Sequence, residues 1–168
     1  MSRTYRRSGL VGLLLLATGC GGGGTPEETR EALQESRAAV RALAQDLAAT
    51  LGSTGLEVEE LTGAYRTCRS EPSPGLRYVA GGATAAVDDP VAPRLAQVRD
   101  ALESDGWTVT AARGDVVSAE REGARIGVGR TTRSGASVVA FDTTGACLDA
   151  DSDETDALLG ETESIPVS

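Results

Sequence analysis

The hydrophobic period of this chain changes at Gly52, and that change limits the fold more than any single motif does. Before it, Leu33, Val40, Leu43, Leu47 and Leu51 recur at helical spacing and form one apolar stripe. Thr25-Pro26-Glu27-Glu28 opens the stripe with an N-cap, a proline suited to the first helical position and the glutamate of a capping box. The spacing predicts a helix over 26–51, stopped at Gly52. Such a stripe serves either a coiled-coil partner or the protein's own sheet, and packing on its own sheet is the favoured reading.

After Gly52 the apolar residues alternate instead. Leu61 to Arg69 and Leu76 to Ala86 flank the turn Glu71-Pro72-Ser73-Pro74-Gly75, as the two strands of a hairpin would, with a bulge or bend at Gly81-Gly82. Asp89-Pro90 opens a second helix in which Pro93 is tolerable because it lies in the first turn. Leu95, Val98, Ala101 and Leu102 form its buried face, and Gly106 occupies the place of a left-handed cap. Trp107, Val109 and Ala111 then alternate with Thr108 and Thr110, the pattern of a half-buried strand. Arg113-Gly114-Asp115, Glu122-Gly123 and Ser134-Gly135 separate three further strands over 116–121, 125–130 and 137–142, a meander.

The expected fold class is therefore α+β. An antiparallel sheet of about 5–6 strands, hairpin plus meander, carries two helices on one face in the order α-β-β-α-β-β-β(-β). One domain is expected over 26–148. Beyond it, acidic residues with little periodicity predict a mostly disordered tail over 149–168.

The first 19 residues have a different character. Arg3, Arg6 and Arg7 precede an apolar run, Leu10, Val11 and Leu13 to Leu16, and the small residues Ala17, Thr18 and Gly19 lead into Cys20. This is the layout of a secretory signal peptide. The run is about half the roughly 20 apolar residues that a spanning helix needs. Arg6-Arg7 is a twin-arginine pair without the flanking residues of that export signal. The stretch resembles the lipobox of bacterial lipoproteins, in which a Leu-like residue and two small residues precede a cysteine; Ala17 stands here where Leu is commonest. That resemblance implies that Cys20 carries a diacylglycerol thioether and begins the mature protein. Two or more acyl chains give stable anchoring, at about 0.8 kcal/mol per buried methylene. The alternative is a secreted protein cleaved near Gly19. Gly21 to Gly24 form a tether, and about five residues of such chain reach only about 12 Å on average. On the lipobox resemblance, residues 20–25 are expected to hold the domain close to the bilayer, at the extracytoplasmic face of the cell membrane.

Composition narrows the partners. All 16 basic residues are arginine, and the chain has neither lysine nor histidine. Three arginines and none of the 25 acidic residues precede Cys20, so the remainder carries a net charge of −12. A surface of that sign disfavours nucleic acid, and Tyr65, Tyr78, Trp107 and Phe141 are too few to build a base-stacking platform. It also opposes adsorption on anionic lipid, leaving the anchor to hold the protein at the membrane.

With Cys20 lipidated, Cys68 and Cys147 remain, and an oxidising compartment favours their pairing as a disulfide over two separate buried thiols. Gly63-x-Tyr65-x-x-Cys68, a helix ending at Gly106-Trp107, and a last strand running to Cys147 resemble small actinobacterial lipoproteins of uncharacterised function. The resemblance implies an α+β domain with one disulfide and brings no activity with it.

No catalytic motif stands out. Without histidine there is no Ser-His-Asp triad and no histidine zinc site, and without lysine there is no Walker loop. Gly127-Val128-Gly129 lacks the third glycine of a dinucleotide fingerprint; Gly127 and Gly129 instead either expose backbone to a ligand or admit a packed helix. Glu59 and Glu60 are carboxylates of the kind used in acid–base work, and in an acidic protein they read as solvated surface. Asp149-x-Asp151-x-Asp153 imitates the start of a calcium loop, with Glu154 and Gly160 where Gly and Glu belong. No metal or cofactor is expected. The sequence thus points to a non-enzymatic, membrane-anchored binding domain with a protein, glycan or lipid partner. The alternatives are a carrier of lipid or another hydrophobic ligand, which needs a large apolar cavity, and a carboxylate-dependent cell-wall hydrolase.

Overall fold

The computed structural model describes residues 25–88, 90–113 and 115–167. Cys20, the signal-like stretch and the glycine tether lie outside the described residues, as do Asp89 of the expected helix start and Gly114 of an expected turn. Among the described residues, three helices and one antiparallel sheet of eight strands make an α+β fold. The elements are α1 (Pro26–Ser53), β1 (Val58–Arg69), β2 (Gly75–Thr84), α2 (Ala92–Ser104), β3 (Thr108–Arg113), β4 (Val116–Arg121), β5 (Ala124–Arg133), β6 (Ala136–Thr144), β7 (Leu148–Asp149), α3 (Ser152–Leu158) and β8 (Thr162–Ser164).

The capping box at the start of α1 is closed. Thr25 Oγ1 accepts the Glu28 amide at 3.3 Å, and the Glu28 carboxylate accepts the Thr25 amide at 2.8 Å. The helix buries Leu33, Val40, Ala44, Leu47, Ala48 and Leu51. It runs through Gly52, and the left-handed residue that follows is Gly55, at φ 78°.

The hairpin and meander join in the spatial order β3-β4-β5-β6-β2-β1-β8. The meander turns Glu122-Gly123 and Ser134-Gly135 both place two residues at positive φ, the backbone of the two-residue turns that match strand twist. Beside β2, β7 takes the place of β6 along the first two residues of the strand. The register runs unbroken through Gly81-Gly82, where a bulge or bend was expected; it shifts instead on β1, between Val58 and Glu60 and between Thr67 and Arg69, and a side chain at Gly82 would collide with the Glu60 carbonyl. Register then gives each face its composition. Leu61, Tyr65, Tyr78, Ala80, Phe141, Ile126, Val128, Val117 and Ala119 are buried, all on the face that α1 and α2 cover. The opposite face carries Gly81, Asp142 and Gly127 side by side on three adjacent strands.

Two further expectations are corrected. β3 is not half-buried by alternation: Ala111 is exposed and only Val109 is partly covered. It is an edge strand, and a bulge between Val109 and Ala111 shifts its register against β4. The larger correction concerns the acidic tail, predicted to be mostly disordered over 149–168. Residues 148–167 instead form a strand, a helix and a second strand, and they bury Ala150, Glu154 and Ile165. The order comes from edges already built by the rest of the chain. Ala150 donates its amide to the Pro74 carbonyl at 3.1 Å, and Ile165 donates to Leu61 at 2.8 Å.

Cys68 and Cys147 lie at disulfide-bonding distance, with Cα atoms 5.9 Å apart across a sequence separation of 79. The pair ties the end of β1 to the point where the tail begins. None of the described helices is long and apolar enough to cross a membrane.

Candidate functional site

The first half of α1 and the tail enclose a groove of about 410 Å³. Arg30, Leu33, Gln34 and Arg37 reach it from α1 because residues three, four and seven apart share a helix face. Tyr65 contributes from β1, and Glu154, Ala157 and Leu158 contribute from α3. Asp151 sets the position of that short helix, since its Oδ1 accepts the Glu154 amide at 2.7 Å as an N-cap does.

Glu154 is the unusual member. Only 6% of it is exposed, yet neither carboxylate oxygen accepts a hydrogen bond from a described residue. The nearest cation is Arg30, whose Nε lies 3.4 Å from Oε1 while 61% of its side chain remains in solvent. Burying a carboxylate without hydrogen bonds costs free energy, so such groups mark strain or an absent partner.

A second carboxylate nearby is fully engaged. Arg37 holds Glu163 through two parallel hydrogen bonds, Nε to Oε1 at 2.9 Å and Nη2 to Oε2 at 2.5 Å. Arg41 stands 3.5 Å from the same group, and the Tyr78 hydroxyl donates to it as well. The hydrogen bonds from Arg37 hold the Glu163 carboxyl well below the usual carboxylate range, at about 2. Burial, together with the bond to Glu163, pushes the Tyr78 hydroxyl up, and burial does the same to Tyr65. Tyr65 donates to the Leu33 carbonyl at 2.8 Å, and its ring meets that of Tyr78 edge-on at 5.1 Å. Gly63 is required here, because any side chain at that position would strike the Tyr78 hydroxyl on its way to Glu163. A smaller recess of about 250 Å³ opens beside this network. At the far end of the sheet, a recess of about 430 Å³ is lined by Leu43, Asp105, Trp107 and Arg121, with the Arg121 guanidinium 4.6 Å from the centre of the Trp107 ring.

The candidate residues named from sequence lie apart from this groove or play supporting parts in it. Cys68 and Cys147 anchor the tail that forms one wall, while Cys20 is outside the described residues. Glu59 and Glu60 are both exposed, and Glu60 pairs with Arg133 at 3.0 Å. Asp149 pairs with Arg69, Asp151 caps α3 and Asp153 lines the groove. Among the described residues no three acidic or cysteine side chains converge as metal ligands. Gly127 lies on the open face, where an added side chain would stand 3.0 Å from Asp142 Oδ1.

Sequence reasoning gave no site role to Arg37, Tyr78, Glu154 or Glu163. One signal was present: Asp151-x-x-Glu154 has the spacing of a helix start and precedes Ala157-Leu158-Leu159. Compared with family models, characterised proteins and solved structures, the chain matches none.

Proposed function

We propose that this chain is a membrane-anchored, extracytoplasmic lipoprotein of the cell envelope that binds its ligand non-enzymatically in the groove between α1 and the C-terminal α3. The observation that carries the reading is the buried, hydrogen-bond-poor Glu154 beside an apolar wall of Leu33, Ala157 and Leu158. Concave sites with an apolar lining and a few fixed polar groups are the usual seats of small ligands. The position of the groove supports the same reading. Pro26 and Arg30 line it, and six positions separate Pro26 from Cys20. A lipid on Cys20 therefore holds the groove at the membrane-proximal end of the domain, about 12–15 Å from the anchor point. The groove, at about 410 Å³, favours a compact ligand over a long lipid chain.

Two experiments test this. Cys20→Ser moves the protein from the membrane to the soluble fraction; sedimentation with membranes unchanged overturns the anchor. A photo-crosslinking residue placed in whole cells at Ala157, on the groove wall, captures envelope components that the same residue at Ala112 does not. Equal capture at the two positions, or none, overturns the groove as the binding surface.

A further inference from the structure

We infer that the groove recognises a primary ammonium group carried on a compact apolar body, with Glu154 as its counter-ion; this rests on the binding reading above and specifies its ligand. A carboxylate withdrawn from water and left without donors is well stabilised by a cation that brings N–H groups of its own. Arg30 does not meet it. At 3.4 Å its Nε provides charge without a hydrogen bond, and its side chain is mostly in solvent, where an ion pair contributes little. The other nearby guanidinium, on Arg37, is held by both oxygens of Glu163.

Size and sign agree. An ammonium is compact and has three rotatable donors, so it fits beside a carboxylate that a planar guanidinium approaches only at the edge. Asp151 and Asp153 line the same groove and add negative charge, while Leu33, Ala157, Leu158 and the Tyr65 ring provide the surface for an apolar body. The incoming cation displaces Arg30, which swings into the solvent it already faces. Arg30 is thus a competitor for the site.

The test uses the lipidated full-length protein reconstituted in phosphatidylcholine vesicles. Phenethylamine is titrated by calorimetry against 2-phenylethanol, its neutral counterpart. The amine should bind saturably and the alcohol about tenfold or more weaker, the scale of one hydrogen bond to a charged group. Glu154→Gln keeps the shape and removes the charge; it should weaken the amine by about the same factor and leave the alcohol unchanged. Arg30→Ala should tighten the amine severalfold, a result that a purely structural Arg30–Glu154 pair would not produce. Equal binding of amine and alcohol overturns the inference, as does amine binding indifferent to both substitutions. Should Glu154→Gln fail to fold, Arg30→Ala decides alone.

Repeating the titration in phosphatidylethanolamine vesicles separates two sources of the same chemistry. Weaker amine binding there identifies a lipid headgroup as the natural ammonium, and unchanged binding identifies a soluble amine. Crosslinking at Ala157 without amine selectivity would leave the binding reading standing and remove this one.

Discussion

The helix-covered face of the sheet and the C-terminal segment are both ordered, but different forces order them. Under α1 and α2 the interior is Leu, Val, Ala and a few aromatics, paired across strands and nearly sealed from water. Residues 148–167 bury much less apolar surface. They are held at discrete points: Cys147, the short pairing of β8 with β1, Glu163 on Arg37 and Tyr78, Ile165, and the Pro166 carbonyl accepting from Gln45 at 3.0 Å. Distributed apolar burial is tolerant and non-directional, whereas point attachments are specific and can be released singly. The groove lies between these two regimes, with one wall belonging to each. A binding site built this way has a firm back and a front that can yield, the part of a structure from which mobile elements are usually drawn.

That contrast is open to attack from both sides. The largest effect is expected in the core. Leu51 is fully buried, and Leu51→Ala should lower the unfolding free energy by about 3 kcal/mol in urea titrations, with protection against hydrogen exchange falling over the whole sheet. Cys147→Ser comes next, at about 2–4 kcal/mol under oxidising conditions, because it frees the loop constraint on the unfolded chain. Its native-state exchange should rise first in 148–165; a uniform rise would show that the tail is not a separable unit.

Glu163→Gln should cost about 1.5–3 kcal/mol, the range for hydrogen bonds to a charged group. This variant also carries a pH signature. The folded carboxyl titrates at about 2, against an ordinary value of 4.5, so its contribution is fully present above 4.5 and is lost as pH falls from there toward 2. The gap in stability between wild type and Glu163→Gln should therefore close across that window. A gap independent of pH would mean that the clamp is not charge-based. The smallest effect belongs to Arg133→Ala. Its pair with Glu60 is more than half exposed on both sides, and the change should stay within about 0.5 kcal/mol.

Reading order from sequence works where a segment repeats its own pattern. The capping box at Thr25 and Glu28, the stripe from Leu33 to Leu51 and the glycine turns at 123 and 135 are local signals, and the helix and the meander follow from them. Gly52 misleads because a glycine alone does not stop a helix whose buried face continues to Leu51 and whose end is capped at Thr54. The tail carries no repeat. Ala150, Glu154 and Ile165 are buried against different partners, and no window of sequence contains those partners. The site is hidden for the same reason: Arg37 and Glu163 are 126 positions apart, and nothing near either residue announces the other.

Local chemistry by itself decided the class of this protein. Helical and alternating periods, turn glycines and two well-spaced cysteines suffice for an α+β domain, because hydrogen-bond geometry and side-chain period act over a few residues at a time. Only the tertiary structure decided where residues 148–167 go, and with them the groove and the buried Glu154. Their order depends on a sheet edge and a helix face that exist only after the rest of the chain has folded.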